Sequence, residues 1–168
     1  MTKIHIEPSI IERPAVRYLG VTRPVTMTTF AIVADRIPDL IGTLIGQGTA
    51  ITDAPFFRYR VIDMERQLIV DAGVPIGESE VELTDDLFID ELPAGRYATV
   101  THTGVFDELI DVTTALLEWA DDRGLQWDRT DGPHGDEWGC RLEIYLTNPA
   151  EEPDPSKFVT QLAFRLAD

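Results

Sequence analysis

The sequence reads PAVRYLGVTR at residues 14–23 and, further along, PAGRYATVTH at residues 93–102. Six of the ten positions are identical. Each copy is followed by a helical pattern and then by a strand that begins with arginine, RYRVI at 58–62 and RLEIY at 141–145. Similarity that extends over a whole succession of elements indicates a structural unit that occurs twice.

The repeat predicts the fold class. We interpret each unit as strand, helix, strand and strand after an extended segment, over about residues 4–78 and 85–168, with closing strands at 69–76 and 158–166. Antiparallel strand pairs with one helix per unit predict a single α+β domain over 1–168, its two units related by an approximate two-fold axis. We expect the sheet faces without helices to form a shared central groove, because pockets favour such junctions.

Helical spacing is clearer in the second unit than in the first. Apolar residues recur every three or four positions over 106–120, and Gly124 can end that helix in a left-handed conformation. In the first unit, Pro38 suits the first turn of a helix over 38–46. A helical stretch over 28–36 is expected to precede it, with a bend at the proline.

Composition and charge limit the function classes. The 168 residues are 43% hydrophobic and 26% charged, and the net charge is -16. This acidity argues against binding to nucleic acid or to an anionic membrane, since phosphate contacts require basic side chains. The N-terminus lacks the pattern of a signal peptide, apolar runs are too short for a membrane span, and Cys140 has no partner cysteine. We therefore expect a cytoplasmic protein without a cofactor.

The candidate site lies on the strand over 141–145. Successive side chains of a strand point to opposite faces, so Leu142 and Ile144 share the core face, while Glu143 and Tyr145 share the other. Glu143 has two interpretations at this point. It is either a solvated charge on the outer face of an antiparallel sheet or the floor of a site.

Aromatic residues accompany this carboxylate. The repeat places small apolar residues under a helix and leaves Tyr18 and Tyr97 on the other face, where we expect Glu143 to point as well. Rings around a carboxylate suit an apolar cation, because ring faces attract positive charge and the carboxylate is its counter-ion. The candidate ligand-binding residues are Glu143, Tyr145, Tyr18, Tyr59, Tyr97, Phe56, Phe106, Trp119 and Trp138. The tyrosines of the sheet and Trp119 also have a purely structural interpretation.

Other motifs do not indicate catalysis. The acidic segment 131–137 contains His134 but no second histidine at ligand spacing, which favours a flexible loop over a metal site. His5 and His102 lie apart from any serine or cysteine motif, so a catalytic triad is not supported. The stretch GTLIGQG at 42–48 lacks the lysine and hydroxyl residue of a P-loop.

Several of these segments resemble a known family. LPAGRYATVTHTG at 92–104, LEIYLTNP at 142–149 and PDP at 153–155 are similar to the GyrI-like small-molecule-binding family, which is also the effector-binding domain of AraC-type and MerR-type transcription regulators. The resemblance extends over about 14–166. It departs at 104–106, where the family often has Gly-Pro-Tyr and this chain has Gly-Val-Phe.

The resemblance implies a duplicated α+β fold with a central groove. It also implies that Glu143, in the Glu-x-Tyr-Leu strand, is the functional carboxylate, since family members bind hydrophobic and often cationic drugs against it. Because the repeat extends over the whole sequence, we expect no attached DNA-binding domain. We therefore expect a stand-alone member that captures or senses a hydrophobic ligand, cationic or flat and aromatic.

Two alternatives follow from the same resemblance. Some stand-alone relatives hydrolyse reactive cyclopropane toxins, and Glu143 would then activate water while Tyr145 polarises the leaving group. One family member inhibits DNA gyrase, and the acidic surface of this chain could mimic DNA in a complex with a protein partner. The edge strands could also pair between two copies in a homodimer. The sequence does not decide among these roles.

Overall fold

The computed structural model describes residues 6–168. The helices and strands, in chain order, are β1 (Ser9–Arg13), β2 (Val16–Val25), α1 (Ala31–Ala34), α2 (Ile37–Gly46), β3 (Phe56–Asp63), β4 (Gln67–Pro75), β5 (Phe88–Leu92), β6 (Gly95–Thr103), α3 (Leu109–Asp122), β7 (Arg129–Gly132), β8 (Gly135–Trp138), β9 (Arg141–Tyr145) and β10 (Val159–Arg165). Short 3-10 turns at Phe106–Glu108 and Pro155–Lys157 lead into α3 and β10.

The strands of the described chain form one antiparallel sheet. Its order is β1-β6-β10-β9-β3-β4-β2-β5, with the β7–β8 hairpin attached to β3. The order is symmetric about the central β9–β3 pair, and each leading strand, β1 or β5, pairs with the opposite unit. The predicted α+β fold is confirmed. That the two units are copies of one ancestor stays a prediction.

The two surfaces of this sheet have different roles. One surface, called here the helix face, packs Leu19 and Val21 against α2, and Ala98 and Val100 against α3. The small apolar residues of the repeat therefore lie under the helices, as the alternation predicted. The opposite surface, called here the inner face, packs Tyr18 and other side chains into a core cluster with residues from β1 and β5. Because these strands are the two ends of the sheet, the sheet curls around the cluster.

The helices agree with their sequence patterns. Pro38 lies in the first turn of α2, and the short helix α1 precedes it within the stretch 28–36. α3 continues from the 3-10 turn at 106–108 and ends before Gly124, which has a left-handed φ of 68°. None of the helices in residues 6–168 has the length and apolarity that crossing a bilayer requires.

The prediction of a flexible loop over 131–137 is wrong. This segment belongs to the β7–β8 hairpin, in which Asp136 and Glu137 pair with Ile62 and Val61 of β3. The hairpin forms because of the sheet around it. β9 pairs only with residues 56–58 of β3, so the remaining residues of β3 on that side are open to another strand. Backbone groups on an open edge favour a further strand. His5 lies outside the described residues.

Candidate functional site

A groove of about 1420 Å³ opens on the helix face, between α2 and α3. It was predicted on the faces without helices, and that placement is wrong. Because the sheet curls, the inner face is filled by its own core cluster and leaves no comparable space. The apolar residues that the two helices contribute to the groove are Ile37, Pro38, Ile41, Ile45, Leu109, Ile110 and Leu117.

The arrangement of the helices explains why the groove exists. α2 packs against the strands of the first unit, mainly β4, and α3 packs against β6 of the second unit. The central strands β3 and β9 are left uncovered between the helices. Phe57 and Glu143 are opposite partners in this central pair, so both side chains point into the gap.

Glu143 is held on the floor of the groove by two phenol groups. Tyr145 donates a hydrogen bond of 2.5 Å to Oε1, and Tyr59 donates one of 3.0 Å to Oε2. The carboxylate is half-buried and open to the groove. Hydrogen bonds to an ionised acceptor are stronger than neutral ones and fix its orientation. The interpretation of Glu143 as an ordinary solvated charge does not agree with this geometry.

The ionisation of this cluster is shifted by burial. Burial raises the pKa of Glu143, although the hydrogen bonds from Tyr145 and Tyr59 and the charge of Arg141 act in the opposite direction. Burial and the adjacent carboxylate raise the pKa of both tyrosines well above the ordinary value, so they remain protonated donors. When Glu143 is ionised, it carries a charge with few solvent contacts, which favours a cationic ligand.

Aromatic rings form a continuous wall beside the carboxylate. The ring of Tyr145 has its centroid 5.5 Å from Phe106 and 5.2 Å from Phe57. Phe30 continues the wall, with centroid distances of 4.9 Å to Phe57 and 6.1 Å to Tyr59. A cation near Glu143 would thus lie beside several aromatic rings, and the face of such a ring attracts positive charge.

Arg141 is a second charged residue in the groove. It lies two residues before Glu143, so the alternation of the strand places both side chains on the helix face. The centroids of Phe164, Trp138 and Tyr59 lie 4.6, 4.9 and 5.9 Å from its guanidinium carbon. Burial lowers the pKa of Arg141 to about 10, so the side chain is still cationic at neutral pH.

Four of the predicted ligand-binding residues line the groove: Glu143, Tyr145, Tyr59 and Phe106. Tyr18 and Tyr97 do not, and the prediction that they share a sheet face with Glu143 is wrong. Both lie in the core cluster of the inner face. The faces of the repeated strands β2 and β6 were predicted correctly, and the faces of β9 were exchanged. Leu142 and Ile144 pack on the inner face, so Glu143 points to the helix face.

Three further predicted residues also lie outside the groove. Phe56 alternates with Phe57 and packs against Tyr18 on the inner face, with ring centroids 5.1 Å apart. Trp138 is buried in the core under α3 and contacts the guanidinium of Arg141 from outside the groove. Trp119 packs at the edge of the same core, which is its structural interpretation.

The predicted set of ligand-binding residues omitted Phe30, Phe57 and Arg141, which line the groove. The alternation of strand residues could have identified two of them. Phe57 alternates with Tyr59 on β3, and Arg141 alternates with Glu143 on β9, so a period of two places each pair on one face. Phe30 precedes α1 and reaches the groove only through the packing of that helix.

A family model covers nearly the whole chain. The GyrI-like small molecule binding domain matches residues 6–167. The chain belongs to this family. No functionally curated protein matches the sequence.

Solved structures share the fold of this GyrI-like chain. The C-terminal domain of EcmrR has a TM-score of 0.76 at 15% identity, covering 98% of this chain and 99% of that domain. EcmrR in its DNA complex has a TM-score of 0.75 at 18% identity over 97% of this chain. The match covers 58% of that EcmrR chain, so this GyrI-like chain spans little more than half of its length.

Two more distant structures have the same fold. SAV2435 bound to tetraphenylphosphonium has a TM-score of 0.61 at 9% identity, covering 96% of this chain and 94% of SAV2435. A hydrolase from Listeria innocua has a TM-score of 0.61 at 15% identity, covering 96% of this chain and 92% of the hydrolase. At such identities the likeness concerns the fold alone.

Proposed function

We propose that this GyrI-like protein captures or senses a bulky hydrophobic ligand, cationic or flat and aromatic, with Glu143 as counter-ion. The observation that carries the proposal is the half-buried carboxylate, which two tyrosines orient on the floor of an apolar groove. The residues of this proposal are Glu143, Tyr145, Tyr59, Phe57, Phe106 and Phe30.

Physical chemistry supports a cation at this position. The attraction between unit charges rises as the local dielectric constant falls, and the groove walls next to Glu143 are mostly apolar. Tyr59 and Tyr145 already hold the carboxylate in place, so little reorganisation is required when a ligand binds. The rings add cation–π attraction of about 0.5–2 kcal/mol each when desolvated.

The size of the groove supports a bulky ligand. Ligand pockets commonly have volumes of about 300–1,000 Å³, and this groove is larger, at about 1420 Å³. Its walls are flexible aliphatic and methionine side chains as well as rings, which tolerate ligands of different shape. SAV2435, which shares the fold, binds the hydrophobic cation tetraphenylphosphonium.

The test is a calorimetric titration of tetraphenylphosphonium into wild-type protein and the variant Glu143→Gln. We expect saturable binding by wild type and a loss of at least about 100-fold in the variant, since an unpaired buried charge costs about 3–5 kcal/mol. The control is Glu91→Gln, an exposed carboxylate on β5 outside the groove, which should bind like wild type. Absence of saturable binding, or equal affinity of wild type and Glu143→Gln, would contradict the proposal.

A hydrolase is the second candidate function. The observation that favours it is the 2.5 Å hydrogen bond between Tyr145 and Glu143, combined with the raised pKa of that carboxyl group. A carboxylate with a raised pKa is a better general base for an attacking water. The Listeria innocua neighbour, which shares the fold, is named a hydrolase.

The hydrolase candidate is tested with a cyclopropane-containing electrophile as substrate. Product formation, followed by mass spectrometry, should be lost in Glu143→Gln, while an unreactive analogue of the same shape still binds to the variant. Equal turnover in wild type and variant would remove Glu143 from the reaction. If the wild-type protein binds the electrophile but forms no product, the hydrolase candidate is excluded and only the binding function remains.

A further inference from the structure

We infer that Arg141 is a second polar anchor of this groove, so that its preferred ligands are amphiphilic zwitterions, with an anionic group as well as an apolar cation. The inference rests on the proposed binding function and narrows its ligand class. It assigns the anionic group of the ligand to Arg141 and the cationic group to Glu143.

The surroundings of Arg141 leave its donors available. Within residues 6–168, the close neighbours of its guanidinium are the rings of Phe164, Trp138 and Tyr59, and no carboxylate oxygen lies within 4.0 Å. Rings attract the positive charge, but they do not replace the acceptors that five N–H groups require. A buried cation whose donors lack acceptors is unfavourable unless water or a ligand supplies them.

Glu143 does not serve as that acceptor. Its two oxygens accept hydrogen bonds from Tyr145 and Tyr59. The two charged residues are two positions apart on one strand face, which corresponds to about 6.6 Å along the strand. The floor of the groove therefore presents a positive and a negative group side by side, each with capacity for a ligand group of opposite charge.

Arg58, the third residue of β3, is an arginine on the inner face that has protein partners, although its Nε has no hydrogen-bond partner among residues 6–168. Arg58 donates hydrogen bonds to the Tyr18 hydroxyl at 3.2 Å and to the Gly139 carbonyl at 3.0 Å, and it lies 3.6 Å from the Asp90 carboxylate. Arg141 lies on the helix face instead, opens onto the groove, and has no such hydrogen-bond or carboxylate partner among the described residues.

The experiment compares two dyes that differ in one charge. Rhodamine B is a zwitterion with a carboxylate and a delocalised cation, and its ethyl ester keeps the cation without the carboxylate. Affinities are measured by fluorescence anisotropy for wild type, Arg141→Gln and Arg141→Lys. The matched control is Arg129→Gln, because Arg129 also lies against Trp138, at 5.6 Å, but does not line the groove.

We expect wild type to bind rhodamine B at least tenfold more tightly than the ester, since Arg forms paired charge-assisted hydrogen bonds with a carboxylate. The affinity of Arg141→Gln for rhodamine B should be at least tenfold lower than that of wild type. Its affinity for the ester should be equal to that of wild type or higher. Arg141→Lys should retain part of the preference, because it keeps the charge without the planar fork. Arg129→Gln should behave like wild type.

Two results would overturn the inference. One is a wild-type protein that binds both dyes equally or prefers the ester, a comparison that requires no variant to fold. The other is an equal loss for both dyes in Arg141→Gln, which indicates a structural role. If the ester and tetraphenylphosphonium bind in a Glu143-dependent way, only the role of Arg141 fails. If neither dye nor tetraphenylphosphonium binds to wild type, the proposed function fails as well.

Discussion

Two carboxylates of this protein have similar neighbours and different surroundings. Asp71 on the inner face accepts hydrogen bonds from the hydroxyls of Tyr18 at 2.6 Å and Thr22 at 2.5 Å, and from Arg60 Nε at 2.8 Å. It is completely buried. Glu143 on the helix face accepts hydrogen bonds from tyrosines alone and opens onto the groove.

The two carboxylates differ in how fully the polar groups around them are already engaged in hydrogen bonds within the protein. The donors around Asp71 are engaged with one another as well, since Arg60 also bonds Asp90 at 2.7 Å and the Tyr18 hydroxyl at 3.0 Å. Such a network already pairs both oxygens of Asp71 with protein donors and contributes to the specificity of the fold. Near Glu143, Arg141 has no carboxylate partner within residues 6–168, and both side chains open onto the groove, where a ligand can bind. Carboxylate, tyrosine and arginine occur in both places, so residue type alone does not identify the site.

The largest effect on stability should come from Asp71→Asn. The substitution removes the charge from the buried network and leaves Arg60 with less compensation, which is expected to lower the free energy of unfolding by about 3–5 kcal/mol. Urea denaturation measures it. Glu143→Gln is the comparison, and its loss should stay below about 1 kcal/mol. Equal losses in the two variants would mean that the two carboxylates are both structural.

The tyrosine at each carboxylate should show the same contrast, with Tyr18 important for stability and Tyr145 important for ligand binding. Tyr18→Phe removes a donor to a completely buried carboxylate and should lower the free energy of unfolding by about 1.5–3 kcal/mol. Tyr145→Phe should lower it by less than about 1 kcal/mol, because water in the groove can replace the donor. It should instead weaken tetraphenylphosphonium binding about fivefold. A loss of ligand affinity in Tyr18→Phe, without unfolding, would contradict the separation of the two networks.

A smaller effect is expected in the pH dependence of the stability. The pKa of Glu143 is raised in the folded protein, so the folded state binds a proton that the unfolded state has released. Between the unfolded and folded pKa values, stability therefore falls as pH rises. Glu143→Gln removes this dependence. We expect its melting temperature, relative to wild type, to rise from pH 4 to pH 7; a constant or opposite difference would contradict the raised pKa.

Acidification should also weaken ligand binding. A protonated Glu143 is neutral and cannot act as a counter-ion, so the affinity for tetraphenylphosphonium should fall as pH decreases through the raised pKa of this carboxyl group. Titrations between pH 4 and pH 7 measure the change. In Glu143→Gln the residual affinity should be independent of pH over this range; the same pH dependence in the variant would assign it to another group.

The smallest effects are expected from predicted site residues that lie outside the groove. Tyr97 donates a hydrogen bond of 2.6 Å to the Pro93 carbonyl, so Tyr97→Phe should lower the free energy of unfolding by about 0.5–1.5 kcal/mol. Trp119→Phe should change stability little. Both variants should bind tetraphenylphosphonium within about twofold of wild type. A tenfold weaker affinity in either one would extend the site beyond the groove.

Local patterns were sufficient where neighbouring residues determine the structure. The strand over 141–145 and the helix end at Gly124 agree with prediction because strand alternation and the left-handed C-terminal residue are properties of short segments. The β7–β8 hairpin was missed because its stability comes from the open edge of β3, which is distant in sequence. Tyr18 and Tyr97 lie opposite the helices, as the repeat predicted, but Glu143 was assigned to their face because alternation defines two faces of β9 and does not say which of them a helix covers.

By itself, the sequence determined the repeated order of elements, the α+β class, the membership of Glu143 and Tyr145 in one strand face, and the family resemblance. These follow from periodicity and from motifs, which act over a few residues. The tertiary structure alone decided that this face lies beneath the helices and that the central strands remain uncovered between them. It also decided that Asp71 is saturated while Glu143 and Arg141 remain open, because saturation depends on side chains that only the folded sheet brings together.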